Sequence, residues 1–464
     1  MTYDLGWLLN VFAEIPGVTF IQWRDHALPY SWLLESVDSW RGRIADAGVK
    51  AGAVVALEAD FSPSAIALFL ALVEHNCIIV PLTPSVERQK PEFRRIAQIE
   101  WAVQFADGDS GVIEKVSQVV DNPHLLQVRQ RDVPGLVLFS SGSTGKSKGA
   151  VHDLSLLLEK FKVRRTAFTA ITFLMMDHIG GINTLLAALS NGGTIVPTQS
   201  RTPTDICRLI ERYAVDLLPT SPTFLNLLII SEAWKHFDLS SLKRITYGTE
   251  IMPEPTLRRL REVFPAAQFH QTYGLSELGI LRSKSKSSDS VWFRVGGAGY
   301  ETMVRNGTLW IRAKSAMLGY LNAASPFDEE GWYDTGDCVE TDGDFIHILG
   351  RNSEVINVGG EKVYPAEVES VLMSITNVKD VAVTGIPNPI TGSVVGARFN
   401  LVEPEDHTVF RSRVRTYARE RLPSYKVPVK IEVVDTEVHS ERFKKMRRVQ
   451  SRTTSVDSMR RVVL

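Results

Sequence analysis

Through the first two-thirds of the chain, short apolar runs alternate with longer stretches of helical spacing. Residues 54–57 read as a strand, 62–74 as a helix and 78–80 as a strand again. The most apolar stretch, residues 65–82, is interrupted by Glu74, His75 and Asn76. It predicts a buried helix ending near Asn76 and a buried strand over 77–81, not a membrane span. Further strands are predicted at 135–139, 194–196, 216–218, 242–247 and 268–272. Strands alternating with helices imply βαβ units and a largely parallel sheet. From Val291 the texture changes to short strands and tight turns, as in Val291-Trp-Phe-Arg-Val-Gly-Gly and Gly307-Thr-Leu-Trp-Ile. After a polar link at 350–353 comes a smaller unit with a helix over 366–373 and a strand over 381–384. The expected fold class is α/β. A large N-terminal domain (1–351) of parallel α/β subdomains plus a small antiparallel β subdomain precedes a small α+β domain (352–464).

Composition changes this picture little. At 464 residues the chain exceeds one ordinary domain, and 44% hydrophobic with 23% charged residues is ordinary for a globular protein. Lys and Arg number 52 against 53 Asp and Glu, so no global charge marks a nucleic-acid or membrane-surface protein. Cys77, Cys207 and Cys338 stand far apart with no CxxC pair, too few for a disulfide framework or a zinc site. Each reads as a core thiol in a reducing cytosol. The start of the chain shows no basic region ahead of an apolar run, so the expectation is an intracellular, cytoplasmic protein without a signal peptide.

The strongest local signal is Ser140-Ser-Gly-Ser-Thr-Gly-Lys-Ser-Lys-Gly149, directly after a predicted strand. Its glycines let backbone N–H groups turn toward a polyphosphate, and hydroxyls and lysines add donors and charge. Gly145-Lys146-Ser147 matches the end of a GxxxxGK[ST] P-loop, but the first glycine would fall on Ser140, so that spacing fails.

The decapeptide resembles the phosphate loop [ST]SG[ST]TGxPKG of the adenylate-forming superfamily: acyl-CoA synthetases, adenylation domains and luciferases. Ser147 stands in the proline position. The family's other motifs follow in order. Tyr273-Gly274-Leu275-Ser276-Glu277 is similar to YGxTE, Tyr247-Gly248-Thr249-Glu250 to the adenine-side loop, and Tyr333-Asp334-Thr335-Gly336-Asp337 to [YF]xTGD. Gly350-Arg351 with the run from Glu354 to Glu369 resembles GRxxDxIKxxGxxIxPxEIE, with Ser353 at the hinge position and Glu354 and Asn357 replacing Asp and Lys. Phe443-Lys444-Lys445-Met446-Arg447 stands where the family has GKxxR. Because Phe443 replaces the glycine, the mobile lysine is Lys444 or, failing that, Lys445. His178 aligns with the aromatic-His motif of the carboxylate site, with Asp177 at the aromatic position.

The resemblance implies two half-reactions. A carboxylic acid attacks the α-phosphate of Mg-ATP to give acyl-AMP and pyrophosphate, and a thiol then displaces AMP. It also implies roles. Ser140, Ser141, Gly142, Ser143, Thr144, Gly145 and Lys148 would hold the phosphates, Gly248, Thr249, Glu250, Tyr273 and Gly274 the adenine side, and the Ser276 hydroxyl would meet the α-phosphate. Glu277 with Thr144 would hold Mg²⁺, Asp337 and Arg351 the ribose, and His178 the carboxylate site. Lys444 would neutralise charge during adenylation, and a rotation of the small domain would then admit the pantetheine thiol along residues 358–360. The thiol expected first is that of coenzyme A, because Gly359-Gly-Glu-Lys-Val-Tyr-Pro365 looks most like the acyl-CoA ligase branch, with a phosphopantetheine on a separate carrier protein as the alternative. Residues 411–448 hold twelve Lys or Arg against five Asp or Glu, a balance of +7 that suits either acceptor. No Gly-Gly-x-Ser carrier loop follows residue 448, so the acceptor is expected to be a separate molecule. Acyl-site positions Asp177, His178, Gly181, Thr220, Tyr247 and Gly279 mix polar, small and aromatic groups and do not choose among aryl, short-chain, fatty and amino acids. A non-catalytic nucleotide-binding relative is the remaining alternative.

Overall fold

The computed structural model describes residues 3–439 and 445–447, with 107, 117 and 142–145 outside that set. The chain divides into two compact units between Ser353 and Glu354.

The large unit holds two seven-stranded sheets. One runs in the order Gln268–Gln271, Arg244–Tyr247, Leu217–Thr220, Thr169–Thr172, Thr194–Pro197, Thr19–Trp23, His26–Pro29, parallel except for the last hairpin. The other runs Gly319–Tyr320, Ser147–Asp153, Gly135–Ser141, Ile78–Pro81, Val54–Glu58, Trp101–Phe105, Gly111–Lys115. Its centre is parallel and both margins are antiparallel. The helix Pro63–Glu74 shows how these layers form. Ser62 caps it by accepting from the Ala65 N–H, Pro63 sits at the first turn, and ten of its residues are buried. A helix apolar on every side cannot face water, so it is enclosed in the core. Its neighbours Val54–Glu58 and Ile78–Pro81 are buried along their whole length, as central parallel strands are.

A third, six-stranded sheet is wholly antiparallel, in the order Ser283–Ser285, Phe293–Val295, Phe345–Arg351, Tyr333–Asp342, Thr308–Ala313, Tyr300–Arg305. This is the textural change seen in the sequence after Val291.

The small unit wraps helices Pro365–Leu372 and His407–Arg421 around the long hairpin Val378–Asn388 and Gly392–Leu401. Lys430–Val433 adds in parallel to the second hairpin strand.

All three cysteines are buried and free, and burial pushes the thiols of Cys77 and Cys207 up to about 12. These thiols stay protonated near neutrality and act as small core hydrophobes. Among the described residues no helix is long and apolar enough to cross a membrane.

Candidate active site

The Gly/Ser/Lys loop joins two antiparallel strands. Gly135–Ser141 returns directly as Ser147–Asp153, with Ser140 opposite Lys148 and Ser141 opposite Ser147. A P-loop runs from a strand into a helix and uses that helix's N-terminus. Here the chain comes back as a strand, so the topology excludes that arrangement independently of Ser140. Gly142, Ser143, Thr144 and Gly145 lie outside the described residues. Beside the returning strand, Asn322 donates from Nδ2 to the Ser147 carbonyl (2.9 Å) and accepts from the Gly149 N–H (3.1 Å). The Lys148 ammonium lies 5.0 Å from the Tyr320 ring centre.

Tyr320 connects this hairpin to the carboxylate of Glu277. Its hydroxyl donates to Glu277 Oε1 at 2.5 Å, and Tyr333 also hydrogen-bonds to it. Burial and the neighbouring carboxylate push the Tyr320 phenol up, so the tyrosine keeps its proton and donates it in this hydrogen bond. Glu277 is buried in the turn between Tyr273–Leu275 and Gly279–Leu281. The Glu277 carbonyl accepts from Met317 N–H at 2.8 Å. The preceding carbonyl, of Ser276, accepts from His152 Nε2 at 2.6 Å. His152 is fully buried in the returning strand, and burial holds it down at about 4, so it is a neutral donor. One imidazole thereby ties the Gly/Ser/Lys hairpin to the turn that carries Glu277.

A second buried carboxylate stands in the antiparallel sheet. Asp337 Oδ2 accepts from the Tyr273 hydroxyl at 2.6 Å, and Oδ1 lies 3.2 Å from Arg351 Nε. Asp337 and Arg351 are cross-strand partners, and Thr335 Oγ1 accepts the Asp337 N–H. Burial pushes Asp337 up, while Arg351 and Tyr273 pull it back only in part. Tyr333, on the same strand as Asp337, links this group to Tyr320 and Glu277.

The parallel sheet supplies a third element at the C-terminal ends of its strands, where open α/β sheets place ligands. Gly248 follows Arg244–Tyr247, and a Cβ there would come within 2.5 Å of Thr272 Oγ1 and 2.9 Å of its carbonyl. Thr249 takes a positive φ of 69°. Glu250 turns away to the helix Pro222–Ser231, where its carboxylate accepts the Thr223 hydroxyl at 2.6 Å and the Thr223 N–H at 3.3 Å. In this position it acts as a helix cap.

His178 caps the helix Ile179–Ser190, its Nδ1 accepting the Gly180 N–H at 3.0 Å. Only an unprotonated Nδ1 accepts, so the neutral ring carries its hydrogen on Nε2. Asp177 is buried and accepts the Thr83 hydroxyl at 2.9 Å. A Cβ on Gly181 would lie 2.0 Å from the Met175 carbonyl oxygen, so no other residue fits that turn.

The structure therefore brings Lys148, Tyr273, Glu277, Asp337 and Arg351 into one connected network. Tyr320 and His152 belong to it although no motif carried them. A histidine inside the strand-like run Ala150-Val-His152, and a tyrosine directly after a glycine in Gly319-Tyr320, were the available signals.

In the small unit Lys444 lies outside the described residues. Lys445 is described and is held by Asp380 at 2.9 Å, with Glu369 4.0 Å away. Arg447 forks onto Glu369 at 2.9 and 2.7 Å and reaches Glu354 at 2.6 Å. For Glu369, the upward push of full burial is outweighed by Lys445 and Arg447, and the net direction is down.

Comparison with known proteins agrees with this organisation. Residues 11–321 match the family model of AMP-binding enzymes, and residues 367–444 match the AMP-binding enzyme C-terminal domain. An indoleacetate–CoA ligase of Aromatoleum aromaticum is 27% identical over 90% of this chain and 92% of its own length. A methyl-dioxo-octahydroindenyl-propanoyl:CoA ligase of Mycobacterium tuberculosis is 30% identical over 64% of this chain, an alignment that spans 62% of that relative. Among solved structures, an anthranilate CoA ligase in complex with anthranoyl-AMP superposes with a TM-score of 0.80 at 19% identity, covering 96% of both chains.

Proposed function

This chain belongs to the AMP-binding enzyme family, and on that premise we propose that it activates a carboxylic acid with ATP and transfers the acyl group to coenzyme A. The acid's carboxylate oxygen attacks the α-phosphorus, the bond to the β-phosphate oxygen breaks, and pyrophosphate leaves. The thiol sulfur then attacks the acyl carbon, AMP departs with the bonding pair, and the thiol proton passes to solvent. Adenylation replaces an oxide leaving group by a stable phosphate, and catalysis consists largely of holding crowded anions in place.

The observation that carries this reading is the pair of tyrosine-held carboxylates. Asp337, with Arg351 beside it, offers a fixed acceptor for two vicinal ribose hydroxyls. Glu277 offers a hard oxygen donor next to Lys148 and the phosphate hairpin. Among the described residues no group of three or more His, Cys, Asp or Glu gathers to hold a metal. A single carboxylate fits Mg²⁺ that arrives on the triphosphate, where the ion supplies charge neutralisation at the phosphate oxygens. His178, at the start of the helix Ile179–Ser190, is assigned the acid's carboxylate, and Lys148 counters phosphate charge. Lys444 is assigned the mobile cation. The commitment of Lys445 to Asp380 supports that choice.

The test is pyrophosphate release with Mg-ATP over aryl, fatty and amino acids, each with and without coenzyme A. Sustained release that needs one acid and coenzyme A is the expected result. A single burst per enzyme that coenzyme A does not extend would transfer the second half-reaction to a carrier protein. Silence across the panel in wild type would overturn the catalytic reading. Replacing Lys444 with Ala should abolish adenylation while ATP binding survives.

A further inference from the structure

One part-buried cation takes no part in the chemistry above. Lys160 lies in the turn Glu159–Phe161, and its ammonium donates to Asn183 Oδ1 at 2.6 Å and to the Ile280 carbonyl at 2.7 Å. Both acceptors are neutral. An ammonium has three N–H donors, so these two bonds leave its charge uncompensated. Among the described residues, no carboxylate lies within ion-pair distance of Lys160, Arg165 or Arg282, and both arginines act on the Lys160 ammonium as like charges. Burial, with those two charges, brings Lys160 down to about 7. A part-buried ammonium held only by neutral acceptors, in the field of two like charges, is stabilised when an anion joins it.

Its position says where that anion would come from. Asn183 is on the helix that His178 caps, two residues beyond Gly181. Ile280 follows Gly279, whose Cβ would come within 2.8 Å of Leu157, one turn before Lys160. Both residues that hold Lys160 thus adjoin positions assigned to the acyl site.

We propose that Lys160, with the Asn183 amide and the field of Arg165 and Arg282, anchors a second carboxylate at the far end of the acid, so that the preferred substrate is a dicarboxylic acid. The proposal rests on the acyl site described above. A lysine serving only to latch the helix Ile179–Ser190 to the strand Gly279–Leu281 would not discriminate between acids.

The experiment pairs monoacids with their terminally carboxylated analogues, aliphatic and aryl, in wild type, Lys160→Met and Arg282→Gln. Binding is read by calorimetry and turnover by pyrophosphate release. In wild type at least one diacid should bind and turn over more than about tenfold better than its monoacid partner. Lys160→Met should reduce that diacid's kcat/KM by about 30-fold or more and leave the monoacid's unchanged. Arg282→Gln, at an exposed position, should erode the preference severalfold without the folding risk of a buried change. Wild type alone gives a further check. The neighbouring helix and strand carry no titratable side chain, and Glu159 is paired to Lys162. Diacid affinity should therefore fall as pH rises through about 7, where Lys160 loses its proton. Equal losses for mono- and diacids in Lys160→Met, or no diacid bound better than its partner, would overturn the proposal. Turnover of monoacids alone would sink the subsite and leave the ligase reading intact. Calorimetric diacid selectivity without pyrophosphate release would do the reverse.

Discussion

The two units of this chain bury carboxylates in opposite ways. In the large unit, Asp337 and Glu277 each accept a hydrogen bond from a tyrosine hydroxyl; the exposed Arg351 beside Asp337 offsets its burial only in part, and the net direction for Asp337 is up. In the small unit, Glu369 is gripped by Arg447 and approached by Lys445, and the net direction is down. A hydroxyl satisfies one lone pair and leaves most of the negative charge to act on something else. A guanidinium fork neutralises the charge where it stands. The first arrangement is suited to meeting a ligand, and the second to holding a scaffold, although both look alike as buried acidic residues in a sequence.

The contrast can be broken most forcefully in the small unit. Glu369→Gln removes the buried carboxylate that Arg447 forks onto and Lys445 approaches, leaving these cations only Glu354 and Asp380, and should cost about 3–5 kcal/mol in denaturant unfolding. A variant as stable as wild type would show that the cluster is not structural. Next in size is an acid effect in the large unit. His152 protonates at about 4 in the folded chain and near 6.5 when unfolded. Between those values only the unfolded state takes the proton, so stability falls as pH is lowered through that window, by about 3 kcal/mol in all. His152→Gln should flatten that part of the stability-versus-pH curve, and an unchanged slope would remove the histidine from the account. The smallest stability change and the most selective functional one should come from Asp337→Asn. Unfolding should shift by no more than about 1 kcal/mol, since a buried charge disappears along with its pairing to Arg351. The KM for ATP should rise about 10- to 100-fold through weaker acceptance of the ribose hydroxyls. Comparable damage to stability and to KM would erase the distinction between the two units.

Much of this organisation was legible in the sequence, for identifiable reasons. Central strands such as Val54–Glu58 are continuous apolar runs, and helix Pro63–Glu74 announces its start with Ser62 and Pro63. Motifs were legible because each combines several constrained residue types. What stayed hidden depends on long-range pairing. The hairpin form of the Gly/Ser/Lys loop requires knowing that Ser147–Asp153 pairs back onto Gly135–Ser141. Tyr320 acquires its role only because the chain returns, more than forty residues on, to Glu277. Glu250 stands in an adenine-side motif yet spends its carboxylate on Thr223, a contact between separate strand–helix units that local pattern cannot show. Lys160 did leave a trace, a lone cation closing the run Leu156-Leu-Leu-Glu-Lys160-Phe, but its neutral partners come from two other elements.

Asn322 has a consequence for how this molecule behaves in company. Its amide gives one hydrogen bond and takes one along the returning strand, as the next strand of a sheet would do. Backbone N–H and C=O groups left open at a sheet margin are templates on which another polypeptide can pair. Here a side chain finishes the sheet where the two-residue strand Gly319–Tyr320 stops short. The same amide that steadies the hairpin beside the nucleotide motifs thus helps keep one copy of the protein from zipping onto another.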